Sequence, residues 1–304
     1  RAAMLNLSSP DSLMPVEVEI AERLIGENVA ACLLEKQGGA GLSHWTDLAQ
    51  AMAPVRLAKL PEPSPGLRFI GAGAAAPALQ ALKKRIEASG APSSLEADRE
   101  TAVAVIEHLL LYWSASAPER KHPRHSVKGK LSIMSGFGGV IGALEAGGPE
   151  EAIKAAPEDW VIENVSAGGF GAIVPPSKSD WLKIGSLLAM QPDGGSNWVV
   201  GTVRRVSKTA AKETRVGIET LSRTPELARF ALRSGQEVGV LLPSAGQAPG
   251  EAAIALRAGV FAGQNLENQR GGRSYMYLPQ GIAEHGDDYD IVRYREMVRE
   301  SESE

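Results

Sequence analysis

Val127-Lys128-Gly129-Lys130-Leu131-Ser132-Ile133-Met134 sets Val127, Gly129, Leu131 and Ile133 on every second position. That period belongs to a β-strand with one face turned inward. Upstream of it the chain reads as mainly helical. Ile20 and Leu24, then Val29, Leu33 and Leu34, follow Pro15 at roughly helical spacing, and Trp45, Leu48 and Met52 continue the pattern. Asp98 to Tyr112 is the clearest helix, with Asp98 suited to the N-cap and Val103, Ile106, Leu110 and Trp113 on one face. The two regimes meet at Ser114-Ala115-Ser116-Ala117-Pro118, small residues closed by a proline, which reads as a domain boundary.

Beyond the boundary, Trp160-Val161-Ile162, Ala172-Ile173-Val174, Trp181 to Met190, Trp198 to Val206 and Arg215 to Leu221 read as short strands. Pro192-Asp193-Gly194-Gly195-Ser196 reads as a hairpin turn. Short strands between such turns predict a small antiparallel barrel. Pro225 to Arg233 is read as a short helix. Glu237 to Leu242, Ala252 to Phe261, Ser274 to Leu278 and Asp288 to Arg295 then form a second β-rich region, a candidate degenerate second barrel. The fold class is therefore α+β, in three expected domains: 1–115 helical, 116–225 a β-barrel and 226–304 β-rich.

Composition closes off several function classes. The chain has 304 residues and is 43% hydrophobic, enough for a sizeable core and more than one domain. Lys+Arg 32 against Asp+Glu 36 leaves a net charge of -4, which disfavours a general DNA binder but permits a local basic pocket. The single cysteine, Cys32, has no partner within the chain and reads as a small buried residue in a reducing compartment. With no run of about 20 apolar residues and no signal-peptide pattern, the expectation is a cytoplasmic protein without membrane insertion. The chain begins at Arg1 rather than Met, which leaves room for residues upstream.

Two polar stretches look shaped for a ligand. Arg120-Lys121-His122-Pro123-Arg124 offers two planar, permanently charged guanidinium forks, suited to phosphates and flat hydrogen-bonding edges. Asn164-Val165-Ser166-Ala167-Gly168-Gly169-Phe170 ends an apolar run in a small polar turn whose glycines allow close approach. Together they suggest an anionic, planar ligand.

From Arg120 to about Leu221 the chain resembles the PilZ domain family, small bacterial β-barrels that bind the second messenger cyclic di-GMP. The resemblance rests on an R-x-x-x-R motif, Arg120 and Arg124, and an N-x-S-x-x-G motif, Asn164, Ser166 and Gly169, in the family's order. Ile184-Gly185, Trp198 to Arg205 and Arg215 to Glu219 resemble the closing strands. The resemblance implies that Arg120 and Arg124 meet guanine edges and phosphates, since a guanidinium grips N7 and O6 bidentately. It implies that Asn164 faces a guanine's donor edge, that Ser166 bonds base or phosphate, and that Gly168 and Gly169 leave room for a base. Arg204 and Arg205 read as strand rungs, at least one of them solvent-facing.

The implied function is a receptor that binds cyclic di-GMP and relays it to a protein partner by domain rearrangement. Two departures from the pattern are plain: residues 136–158 lengthen the gap between the motifs, expected to loop out of the barrel, and Pro123 fixes the arginine segment locally. These support the rival reading, a PilZ-like scaffold without ligand. A weaker rival is a dinucleotide-dependent enzyme using Gly71-Ala72-Gly73-Ala74-Ala75-Ala76, which would require a parallel strand after the following helix. The histidines His44, His108, His122, His125 and His285 lack H-x-x-x-H spacing, and neither a G-x-S-x-G elbow nor a P-loop occurs. No catalysis, metal or cofactor is expected.

Overall fold

A computed structural model describes residues 1–50, 52–116, 122–145, 157–175, 181–209, 213–232, 235–244 and 247–299. Its backbone contacts divide the chain into two compact units, Arg1–Arg120 and Lys121–Glu304.

The first unit packs α1 (Ala2–Leu7), α2 (Pro15–Asn28), α3 (Ala75–Ser89) and α4 (Arg99–Trp113) on a small sheet. The sheet has the order β1-β4-β2-β3, from Leu33–Glu35, Leu67–Gly71, His44–Asp47 and Val55–Arg56. Asp98 caps α4 as expected, its Oδ1 accepting the Thr101 N–H at 2.8 Å. The buried seam of α4 is Ala102, Val105, Ile106, Leu109 and Trp113, so Val103 and Leu110 sit at its margin rather than at its centre. Trp45 lies in strand β2, not a helix, and Leu48 is 63% exposed. Pairing with β4 and β3, and an Asp47 Oδ1 that accepts the Ala49 N–H at 2.9 Å, decide this segment against its helical spacing.

Strand β4 runs into α3 through the glycine-rich turn, but both its partners, β1 and β2, are antiparallel. The segment after α3 is a 3-10 turn and then α4. The glycines have packing roles: a Cβ on Gly71 would meet the Gly41 carbonyl oxygen at 2.0 Å, and one on Gly73 the Ala31 oxygen at 2.5 Å. The dinucleotide geometry is absent from this turn.

His44 in β2 is 4% exposed, with Nδ1 2.8 Å from the Ser43 hydroxyl. Burial first, and then the Arg56 cation, push its pKa down from 6.5 to about 4. The fold thus favours the neutral ring while the unfolded chain takes up the proton first. The contribution is full above pH 6.5 and is lost as pH falls towards 4, amounting to roughly 3 kcal/mol. An NMR titration of the His44 imidazole should find it neutral at about pH 5, and His44→Gln should remove this part of the acid sensitivity.

The second unit holds two closed barrels. The first comprises β5 (His125–Ser135), β6 (Glu158–Ser166), β7 (Gly169–Val174), β8 (Leu187–Pro192), β9 (Val199–Lys208) and β10 (Thr214–Ser222), in the order β10-β7-β6-β5-β8-β9. The second comprises β11 (Glu226–Leu232), β12 (Gly235–Leu241), β13 (Glu251–Arg257), β14 (Leu266–Arg270), β15 (Arg273–His285) and β16 (Tyr289–Arg299), in the order β11-β12-β13-β16-β15-β14. Numbered from its own first strand, each barrel has the same cyclic order, so the C-terminal region is a second barrel of identical topology. The segment 226–232 is a strand, not a helix: Ala228 and Phe230 alternate inward and the whole stretch pairs with β12.

Three apolar clusters organise this unit. Leu131, Ile133, Trp160, Ile162 and Met190 fill the first barrel, and Phe230, Ile254, Tyr277 and Tyr294 the second. Between them lies α5 (Gly136–Glu145), from the segment expected to loop away. Phe137, Val140 and Ala143 of α5 pack with Leu187, Ala189, Trp198 and Val200 of the first barrel and Val240, Ala255 and Ile291 of the second. The helix stays because its apolar face closes both walls. Asp288 also receives its first turn, its Oδ2 accepting the Phe137 N–H at 2.7 Å.

Candidate functional site

Strand β6 sets the site through a bulge. Trp160 and Ile162 point into the barrel, and strict alternation would send Asn164 and Ser166 inward too. The register with β7 slips between Ile162 and Asn164, so Val165 turns inward against the core while Asn164 and Ser166 face outward. Ala167 and Gly168 make the two-residue turn into β7. The Ser166 hydroxyl donates to the Gly169 carbonyl at 3.4 Å, and the Thr220 N–H donates to the Gly168 carbonyl at 2.9 Å.

Glycine is required at the floor of this face. A Cβ on Gly169, whose φ is +152°, would lie 1.9 Å from the Ile218 carbonyl oxygen of β10. One on Gly171, opposite Asn164 in the ladder, would lie 2.5 Å from the Asn164 amide nitrogen. Gly171 was missed in the sequence, although Gly-Phe-Gly on a strand, with its two glycines on one face, was the available signal.

The two polar stretches converge. At the start of β5, His125 pairs with Val165 and Ser126 with Asn164, so Arg124 enters beside the end of β6. Arg124 is exposed and, among the described residues, makes no hydrogen bond or ion pair. Arg120 lies outside the described residues. The His122 ring rests on the turn: a Cβ on Gly168 would be 2.9 Å from its Cδ2. The space expected for a base at Gly168 is thus taken by this ring. Backbone pairing thus brings Arg124 beside the end of β6, where Asn164, Ser166, Gly168 and Gly169 lie. Farther along β6, Glu163 pairs with Arg215 at 3.1 Å.

Arg205 is the exposed rung, while Arg204 is only partly exposed and is held by carboxylates. Arg204 forms two bonds with Glu284 of the second barrel, Nη1 to Oε1 at 2.9 Å and Nη2 to Oε2 at 2.6 Å, while Nε reaches Glu219 at 2.8 Å. Burial works against this cation, but the Glu284 and Glu219 carboxylates outweigh it and raise its pKa. The Tyr289 hydroxyl joins the network at 2.9 Å from Glu284. Burial and the Glu284 charge push the phenol pKa up.

A cavity of about 690 Å³ opens along β11, β14 and β15, but none of its lining residues belongs to the converging motifs.

Outward polar groups thus lie over a glycine floor on this barrel wall, with Arg124 entering at its edge. Residues 150–226 match the family described as the cyclic-di-GMP receptor FimW, middle PilZ domain. That range contains the Asn164-to-Gly169 turn and strands β6 to β10, and His122 to Arg124 lie beside that turn. Comparison with curated proteins found no match. Among the described residues, no helix is long and apolar enough to cross a membrane.

Proposed function

We propose that this chain is a cyclic di-GMP receptor whose site is the outer face at the β6–β7 turn. The observation that carries the reading is the approach of Arg124 to Asn164 and Ser166, in a barrel of which strands β6 to β10 fall within the match to a PilZ domain. Arg120 and Arg124 close over the ligand, gripping guanine edges and phosphates with paired N–H donors. The Asn164 amide oxygen accepts from a guanine's donor edge, and its position is fixed by Gly171. The Ser166 hydroxyl donates to base or phosphate, and a base reaches the turn once the His122 ring swings off Gly168. Binding engages the arginine segment and passes the signal to a protein partner by domain rearrangement. The role is that of a receptor, not an enzyme.

Calorimetry with the purified full chain tests this. Wild type should bind at micromolar ligand, and Arg124→Ala should weaken binding by about 10- to 100-fold, the worth of a bidentate base contact. Thermal stability should hardly change, because Arg124 has no partner among the described residues to lose. Absent binding, or an unaltered affinity in Arg124→Ala, refutes the reading. One observation favours the rival ligand-free scaffold: the His122 ring already covers Gly168. Under that reading no cyclic di-GMP binds, and partner association is indifferent to the nucleotide.

A further inference from the structure

We infer that Arg223 is a third cation of this nucleotide site and the residue that ties it to the second barrel. The inference rests on the cyclic di-GMP reading above. Arg223 lies between β10 and β11, in the connection from one barrel to the next. Its Nη2 donates to the Ala167 carbonyl at 3.0 Å and the Ser166 carbonyl at 3.4 Å, both within the Asn164-to-Gly169 motif. An arginine far along the chain from both motifs thus clamps the turn that one of them forms.

Its backbone is held in place from both barrels. Asn197 Nδ2 donates to the Arg223 carbonyl at 2.7 Å. The preceding Ser222, 1% exposed, donates its hydroxyl to the Pro243 carbonyl of the second barrel at 2.7 Å and receives the Thr224 N–H at 3.3 Å. The side chain remains exposed, and only Nη2 is engaged among the described residues. A guanidinium carries five N–H donors, so most are still available. Its present partners are neutral carbonyls, and no carboxylate pairs with it among the described residues. A phosphodiester arriving at the Ser166 turn gives this cation a charged acceptor, and bonds to charged acceptors are about twice as strong as neutral ones.

The geometry has a regulatory consequence. A ligand that pulls on Arg223 pulls on a main chain fastened through Ser222 to Pro243. The connection between barrels therefore feels the occupancy of the first barrel's outer face.

The test compares full-length wild type, Arg124→Ala, Arg223→Gln and Arg223→Lys in cyclic di-GMP binding at about 50 mM and about 500 mM salt. Glutamine can still donate to the turn carbonyls but carries no charge, so it separates holding the turn from meeting the phosphate. The expected result is that Arg223→Gln binds about 10-fold more weakly at low salt, that the deficit shrinks at high salt, and that lysine recovers part of it. If wild type binds and Arg124→Ala fails while Arg223→Gln matches wild type at both salts, Arg223 has no part in the site and the receptor reading stands. A Gln deficit that ignores salt and is not relieved by lysine also overturns the proposal, since it marks a purely structural clamp. Failure of wild type to bind overturns the receptor reading, and this inference with it.

Discussion

Gly169→Ala is expected to unfold the wall of the first barrel and lower stability by about 3 kcal/mol or more. Two costs coincide. The residue has a φ of +152°, which side-chain-bearing residues rarely adopt, and its added methyl would collide with main chain rather than with a movable side chain. The nearest atoms are the Ile218 carbonyl oxygen at 1.9 Å and the Ile218 carbonyl carbon at 3.0 Å. Relief requires β7 and β10 to part, breaking the ladder in which Gly169 pairs with Glu219 and Phe170 with Ile218. Urea unfolding should show a lower midpoint at unchanged slope. Gly171→Ala is the informative companion. Its methyl meets the Asn164 side chain, which can rotate, so the fold should survive better while the amide leaves its place. A Gly169→Ala variant as stable as wild type would refute this account of the turn.

Trp160→Ala should cost about 3–5 kcal/mol, the range for deleting a large buried aromatic. The side chain is 0% exposed at the centre of the first barrel, and Trp181 stacks on it with centroids 5.9 Å apart and planes 9° from parallel. Glu158 bridges the two indoles: Oε2 accepts from Trp160 Nε1 at 3.1 Å and Oε1 from Trp181 Nε1 at 3.2 Å. Truncation leaves a cavity and frees one carboxylate oxygen of its donor. For a unit of this size the melting temperature should fall by about 10 °C. Trp160→Phe should fall less, because it retains most of the apolar volume. An unchanged melting temperature in Trp160→Ala would contradict the packing described.

Alternation was legible wherever one face of a strand met the barrel interior and the other met water. It failed where a bulge intervened: Val127 was expected inward with Leu131 and Ile133, but the slip between Ser126 and Gly129 leaves it 42% exposed. The same device hid the orientation of Asn164, since period two alone would have buried it. The segment 226–232 misled because its alanines and leucines suit a helix, and only pairing with β12 reveals a strand. Strand β14 was not read at all, as Glu267, Asn268 and Gln269 give no apolar period. Asn164, Ser166 and Gly169 stood out in the sequence because their spacing is a motif. Gly171 had a local signal in Gly-Phe-Gly, but His122 and Arg223 reach the turn through contacts made only by folding, and no local pattern announces those.

The helix α5 has a practical corollary for anyone cutting this protein into pieces. Residues 150–226, the stretch that matches a known domain, omit both β5 and α5. A fragment with those limits would lack a stave of its own barrel and bare Leu187, Ala189, Trp198 and Val200 to water. The portion that can be recognised is thus smaller than the portion that can stand alone. Expression of the matched segment should give aggregates, whereas a fragment spanning 122–299 keeps both barrels and the wedge they share.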